Sequence, residues 1–161
     1  LYLRNDIPCR SLLCKNCQTN LPALLSSSET DFYIIPDVSF VQHFSKESTA
    51  VTNIILLETV IKQLKARTNA KFMARVNKIL HNPIKSCVTF PNETFHETFT
   101  PREMILQENE NGIRLPEPLD QWILRSLQNS ARWYHQHLSK YSDPPTIKLV
   151  TADTKKIEKK R

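Results

Sequence analysis

The sequence predicts an α/β fold, a central parallel sheet with helices on both faces, and three observations carry that prediction. Short β-rich apolar runs recur at 32–36, 87–90 and 146–151, the length of buried strands. Helix-spaced apolar positions lie between them, so strand and helix alternate along the chain. With 161 residues, 40% hydrophobic and 24% charged, there is enough apolar surface for one domain with a real core.

Residues 1–30 read as a polar, cysteine-bearing arm that ends in a serine-rich loop, and 31–161 as the α/β unit. Phe32-Tyr33-Ile34-Ile35-Pro36 is the first strand, closed by Asp37. The apolar run Ile54 to Leu57 is the second, and passes into a helix with Val60, Ile61 and Leu64 on one side. Helical spacing continues through Phe72, Val76, Ile79 and Leu80 until His81-Asn82-Pro83 stops it. Cys87-Val88-Thr89-Phe90 is the third strand. Residues 91–116, punctuated by Pro91, Pro101, Gly112 and Pro116, read as a long flexible connection with a short helical stretch at most. Leu119, Ile123, Leu127, Ala131, Tyr134 and Leu138 mark an amphipathic helix, and residues 146–151 the last strand. Lys155 to Arg161 begins a further basic helix, so the unit is expected to be truncated at its carboxyl end.

Composition removes several classes of function. Gly112 is the single glycine, which excludes glycine-rich dinucleotide and Walker phosphate loops. No apolar run approaches the ~18 residues a membrane span needs. A net charge of +6 suits an anionic partner such as RNA. The spacing Cys9-x4-Cys14-x2-Cys17 suits metal binding by reduced thiols, and so an intracellular compartment. A structural zinc site wants four ligands, and the fourth has to come from afar, for instance His135 or His137. Those two histidines are two apart on a helix and face different sides; the plainer reading makes both boundary residues, and leaves the thiols to pack the arm. Asn92-Glu93-Thr94 matches a glycosylation pattern, which an intracellular chain makes by coincidence.

Asp37 and Asp153 close the first and last strands. Parallel strands put both at one rim of the sheet, where open α/β folds bind ligands, and paired acids there suit a divalent cation such as Mg²⁺ or Mn²⁺. Taken singly, Asp37 reads as a turn residue and Asp153 as a helix cap. Gln63 stands where a third acid is expected, and Asp120 is the only acid with a plausible position near the start of the long helix.

Tyr2-Leu3-Arg4-Asn5-Asp6-Ile7 with Cys9, Cys14 and Cys17 resembles the opening of the catalytic exosome subunit family, RNase II/R-type ribonucleases with a PIN domain at the amino end. The resemblance runs on through Ile35-Pro36-Asp37, Phe90-x-Asn92-Glu93, Glu97-Thr98, Ala131-x-Trp133-Tyr134, His137-Leu138 and Thr151-x-Asp153. It implies a three-layer α/β/α PIN fold whose four acids hold Mg²⁺ or Mn²⁺ for phosphodiester cleavage. Asp37 matches the first acid and Asp153 the last. Gln63 replaces the second, Leu124 (or, by a small shift, Asp120) the third, and Val38 and Ser39 replace the polar residues after the first. These departures resemble the family's cytoplasmic exosome-associated paralogues, whose PIN endonuclease is degenerate. The resemblance further implies that Tyr2, Leu3, Arg4 and the three cysteines dock the enzyme on the exosome core ring, with 3′-to-5′ exoribonuclease activity in a downstream domain. Two other functions are weighed: an active Mg²⁺/Mn²⁺ endoribonuclease with Asp120 or Glu58 replacing the lost acids, and a free-standing zinc-stabilised RNA-binding module.

Overall fold

The computed structural model describes residues 2–17, 22–25, 32–44, 52–82, 86–106, 114–141 and 143–152. Four strands, β1 (Phe32–Pro36), β2 (Ile54–Leu57), β3 (Cys87–Phe90) and β6 (Thr146–Val150), form one parallel sheet in the order β3-β2-β1-β6. Every residue of β2 is buried, as expected of a central strand covered on both faces. Successive strands step outward from β1 to β3, then the chain returns to pair β6 with the other side of β1. That reversal creates a topological switch point between β1 and β6, the place where open α/β sheets bind ligands.

Four helices flank the sheet: α1 (Val38–Phe44), α2 (Glu58–Arg67), α3 (Ala70–Leu80) and α4 (Leu119–Leu138). The helix expected to run from the second strand to residue 81 is two helices. Asn69 breaks it, its side chain accepting the Phe72 N–H at 2.9 Å, which caps α3. The seven-residue α1 was not expected, because its length is too short for a period to register. It forms because Asp37 caps it and because Val38 and Val41 bury one side.

On α4 the buried positions are Ile123, Ser126, Leu127, Ser130, Tyr134 and Leu138, which together form one helix face. Ser126 and Ser130 fit here because each hydroxyl donates to the carbonyl four residues back, at 3.0 and 2.9 Å, leaving no buried donor unpaired. The core continues into the arm: Ile7, Cys9 and Leu25 belong to the same apolar cluster as Ile55, Phe90 and Tyr134.

The described residues of the stretch 91–116, namely 91–106 and 114–116, are not the loose connection that its punctuation suggests. Residues 94–96 pair with the arm, Arg4 N–H donating to Thr94 O at 2.7 Å and His96 N–H to Arg4 O at 2.9 Å. Farther on, β4 (Met104–Leu106) and β5 (Arg114–Pro116) form an antiparallel hairpin. Its base is closed by Glu117, which is fully buried and accepts from the Glu103 N–H at 2.9 Å and from Arg125 Nε of α4 at 3.1 Å. The Glu103 N–H foremost, with the Arg125 guanidinium, holds the Glu117 carboxyl below the usual carboxylate range. Such polar bonds are invisible to apolar periodicity, which is why the order in this segment was missed. The expected basic helix from Lys155 lies outside the described residues, as does Gly112.

With a single glycine in the chain, the left-handed backbone positions fall to other residues. Asn53 (φ 57°) and Ser86 (φ 48°) turn the chain into β2 and β3, and Arg10 (φ 61°) turns the arm between two cysteines.

Candidate metal centre and the carboxylate rim

Cys9, Cys14, Cys17 and His137 offer four ligand atoms that all lie within 4.8 Å of one another. His137 Nε2 is 3.3 Å from both Cys14 Sγ and Cys17 Sγ. A tetrahedral ion at the usual ~2.3 Å from sulfur and ~2.0–2.1 Å from nitrogen would set that edge at about 3.5 Å, so the donors already stand near coordination spacing. Three thiols and one imidazole are soft and borderline donors, suited to a transition-metal ion rather than to a hard cation.

Each ligand is placed by a separate device. The buried Cys9 thiol is anchored in the core, and its carbonyl accepts the Tyr134 hydroxyl of α4 at 3.0 Å. Its N–H points at Cys17 Sγ, 3.5 Å away, a contact that favours a thiolate there. The Tyr141 hydroxyl reaches Cys14 Sγ at 3.5 Å. Burial alone would raise the Cys14 thiol, but Tyr141, the N–H groups of Asn16 and Cys17 and the Cys17 side chain bring it down to about 6. Burial raises Cys9 and, less deeply placed, Cys17. One thiol is therefore poised as a thiolate while its neighbours hold protons that a cation would displace.

His137 is oriented from its own helix. Its ring stacks on Trp133 one turn back, centroids 4.6 Å apart and planes within 14°. Trp133 Nε1 in turn donates to Glu97 Oε2 at 2.7 Å. Of the two histidines offered by the sequence, His137 joins the thiols, and His135, exposed two positions earlier, does not. The plainer reading of both histidines as boundary residues is thus corrected for His137. Glu97 and Trp133 as orienting residues were missed, although the Trp-x3-His spacing on one helix face was legible.

The second candidate region is the rim where β1 and β6 end. Their parallel register pairs Pro36 with Val150, so Asp37 and Thr151 leave the sheet side by side. Asp37 is 6% exposed, and its Oδ1 accepts the Phe40 N–H and the Ser39 hydroxyl, both at 2.8 Å. Ser39 Oγ also lies 3.1 Å from Thr151 Oγ1 and accepts the Ala152 N–H at 3.3 Å, tying the two strand ends together. Asp153 itself lies outside the described residues. Gln63 is half-buried on α2 and Leu124 half-buried on α4. Asp120 is 78% exposed and pairs with Arg67 of α2 at 3.4 Å. Glu58 accepts the Glu93 N–H at 3.2 Å and lies 3.8 Å from Lys62. Asn92 is buried, its amide donating to Thr59 Oγ1 at 2.9 Å. Of the other arm residues, Tyr2 is 83% exposed, Leu3 half-buried, and Arg4 paired with Asp6 at 3.0 Å. No helix among the described residues is long and apolar enough to cross a membrane.

Comparison with known proteins agrees with this geometry. No family model matches the chain. It is 29% identical over 173 residues to human exosome complex exonuclease RRP44, covering 98% of this chain. It is 28% identical to the Arabidopsis thaliana RRP44 homologue A over 95% of this chain, and 26% identical to Schizosaccharomyces pombe exosome complex exonuclease dis3 over 86%. The chain spans only 17% of the human protein and 15% of the other two. Among solved structures, the T. brucei RRP44 PIN domain superposes with a TM-score of 0.72 at 26% identity, covering 94% of this chain and 81% of that one. The homologues are exosome exonucleases, and the fold, a parallel sheet with flanking helices behind a cysteine-bearing arm, is that of their PIN domain.

Proposed function

We propose that this chain is the amino-terminal attachment module of an exosome-associated 3′-to-5′ exoribonuclease, an arm over 1–30 and a PIN-like unit over 31–161, whose PIN endonuclease site is degenerate. The observation that supports it most is the four-ligand cluster, which joins the arm to α4 across 120 residues of sequence. Zinc fits this donor set, and Cys9, Cys14, Cys17 and His137 would hold it in a closed structural site. Zinc so bound would fix the arm and leave no open position for substrate, which is the chemistry of a scaffold. With the arm fixed, the exposed Tyr2 and the Arg4–Asp6 pair form a rigid surface for exosome core ring proteins, while the cysteines contribute by holding it. The reduced thiols the site needs favour an intracellular location, and in this reading the resemblance to the family's cytoplasmic paralogues supports cytoplasm before nucleus.

The rim supports the second half of the proposal. Two of four expected carboxylates are the neutral Gln63 and Leu124, and Asp37 already serves as a helix cap. Halving the negative charge leaves too little to hold a hard cation or to acidify its water. RNA is then the substrate of the parent enzyme rather than of this module. Two measurements test the reading. Size-exclusion chromatography with reconstituted exosome core ring should show co-elution that Cys14→Ser abolishes; co-elution that ignores the cluster would overturn the attachment half. Incubation with circular RNA and Mn²⁺ should give no linear product; linearisation removed by Asp37→Ala would instead establish an active endonuclease.

A further inference from the structure

A cleft of about 640 Å³ opens between the arm and α2, within the ~300–1,000 Å³ range of ligand sites. Its described walls contain none of Asp37, Gln63, Asp120 and Leu124 and none of the four cluster ligands, so it is a separate feature. The walls carry four cations, Arg4, Arg10, Lys62 and Lys65, against the carboxylates Asp6 and Glu58. Two of those cations are neutralised in place, Arg4 by Asp6 at 3.0 Å and Lys62 by Glu93 at 3.3 Å. Among the described residues no acid pairs with Arg10 or Lys65, which face the cleft from its two sides.

Arg10 is held ready rather than waving in solvent. Its backbone takes the left-handed conformation, and its carbonyl accepts the N–H groups of both Leu24 and Leu25 at 3.0 Å. Its Nε is tied to Pro22 O at 3.2 Å, which leaves the end of the guanidinium to a ligand. A non-glycine residue kept at positive φ persists only where its surroundings enforce it.

The apolar part of the walls decides what kind of anion fits. Ile61, Pro8 and Pro91 are half-buried and aliphatic, and the one aromatic ring, Phe90, is 1% exposed. Single-stranded nucleic acid is gripped by stacking bases on exposed aromatic faces, and this cleft offers none. Aliphatic floor and flanking cations instead complement an aliphatic side chain with carboxylates on either side. We propose that the cleft between the arm and α2 docks a linear acidic peptide segment of a partner protein, its aliphatic anchor on Ile61 and Pro8 and its carboxylates on Arg10 and Lys65. This names the kind of partner that the attachment reading requires, and takes its biological sense, not its chemistry, from that reading.

The test uses the full 161-residue chain, ¹⁵N-labelled, titrated with the blocked hexapeptides EDLLDE and KKLLKK and with hexauridylate. EDLLDE should move the amide signals of Arg10, Ile61 and Lys65, weaken with salt, and bind roughly tenfold more weakly to Lys65→Glu. Lys65 is exposed on a helix, so the remaining spectrum should be preserved, and Lys65→Gln should give a smaller loss in the same direction. The proposal is overturned if EDLLDE moves no signal at the cleft, if KKLLKK does so equally, if hexauridylate binds there more tightly, or if both variants bind like the parent chain. Ring assembly measured on Lys65→Glu separates the two readings. Peptide binding without any ring assembly in the parent chain would sink attachment alone, and ring assembly without peptide binding would sink the cleft alone.

Discussion

The cysteine–histidine cluster and the rim where β1 and β6 end differ in how far the structure brings their residues together. The cluster draws three ligands from nine consecutive residues and the fourth from the end of α4, and all four donors converge. Of the rim positions expected from the sequence, Asp37 follows β1, Gln63 lies on α2 and Leu124 on α4, and Asp153 lies outside the described residues. The difference follows from what each site does for the fold. Removing one donor from a closed soft-ligand site forfeits the whole binding free energy, and with it the arm's hold on the core. Replacing an acid at a rim by glutamine or leucine relieves like-charge repulsion and leaves the sheet intact. The fold is therefore expected to tolerate substitution at the rim better than at the cluster.

The strongest way to break this contrast is to remove a ligand from the cluster. We expect His137→Ala or Cys14→Ser to abolish stoichiometric zinc by mass spectrometry and to lower the melting temperature by more than ~10 °C, since structural zinc in small peptides contributes roughly 10–16 kcal/mol. An unchanged melt would mean that the thiols merely pack. Next in size is Tyr134→Phe, which removes the donor to the buried Cys9 carbonyl. Leaving that acceptor unpaired should destabilise the chain by about 1–3 kcal/mol in denaturant unfolding, with Cys9 the first ligand to loosen.

At the rim the expected effects are smaller. Asp37→Ala should cost about 0.5–2 kcal/mol through loss of the α1 cap. That loss should be the same with and without Mn²⁺; a loss that appears only with the ion present would mean the rim still binds metal. The smallest effect concerns α4, which spans both regions. Glu117, its carboxyl held below the usual range by the Glu103 N–H and Arg125, fixes the helix's amino end. A depressed folded value contributes stability that is present above the ordinary carboxylate range and fades as pH falls through the folded value. Melting temperature should therefore decline on acidification below about pH 4.3, and Glu117→Gln should flatten that decline.

Several parts of both regions were legible from the start. The three closely spaced cysteines announce a soft-metal site by their chemistry alone, and Asp37 at the end of an apolar run announces a strand rim. Two histidines two apart on a helix left the fourth ligand undecided, because choosing between them needs the rotation of α4 against the arm. Tyr134 and Leu138 in the core and the Trp133 stack fix that rotation; the pattern shows those residues but not how their helix face meets the arm. The cap duty of Asp37 was hidden for a similar reason, since it serves a helix only seven residues long.

The sequence by itself determined the alternation of strand and helix, the family likeness and the identity of the thiols, because periodicity and side-chain chemistry are local properties. Only the tertiary structure decided that 91–106 is ordered, that His137 rather than His135 meets the thiols, and that Arg10 and Lys65 face one cleft. Each of those depends on polar bonds and packing between residues far apart in the chain, and such contacts acquire their energy only once the core has closed around them.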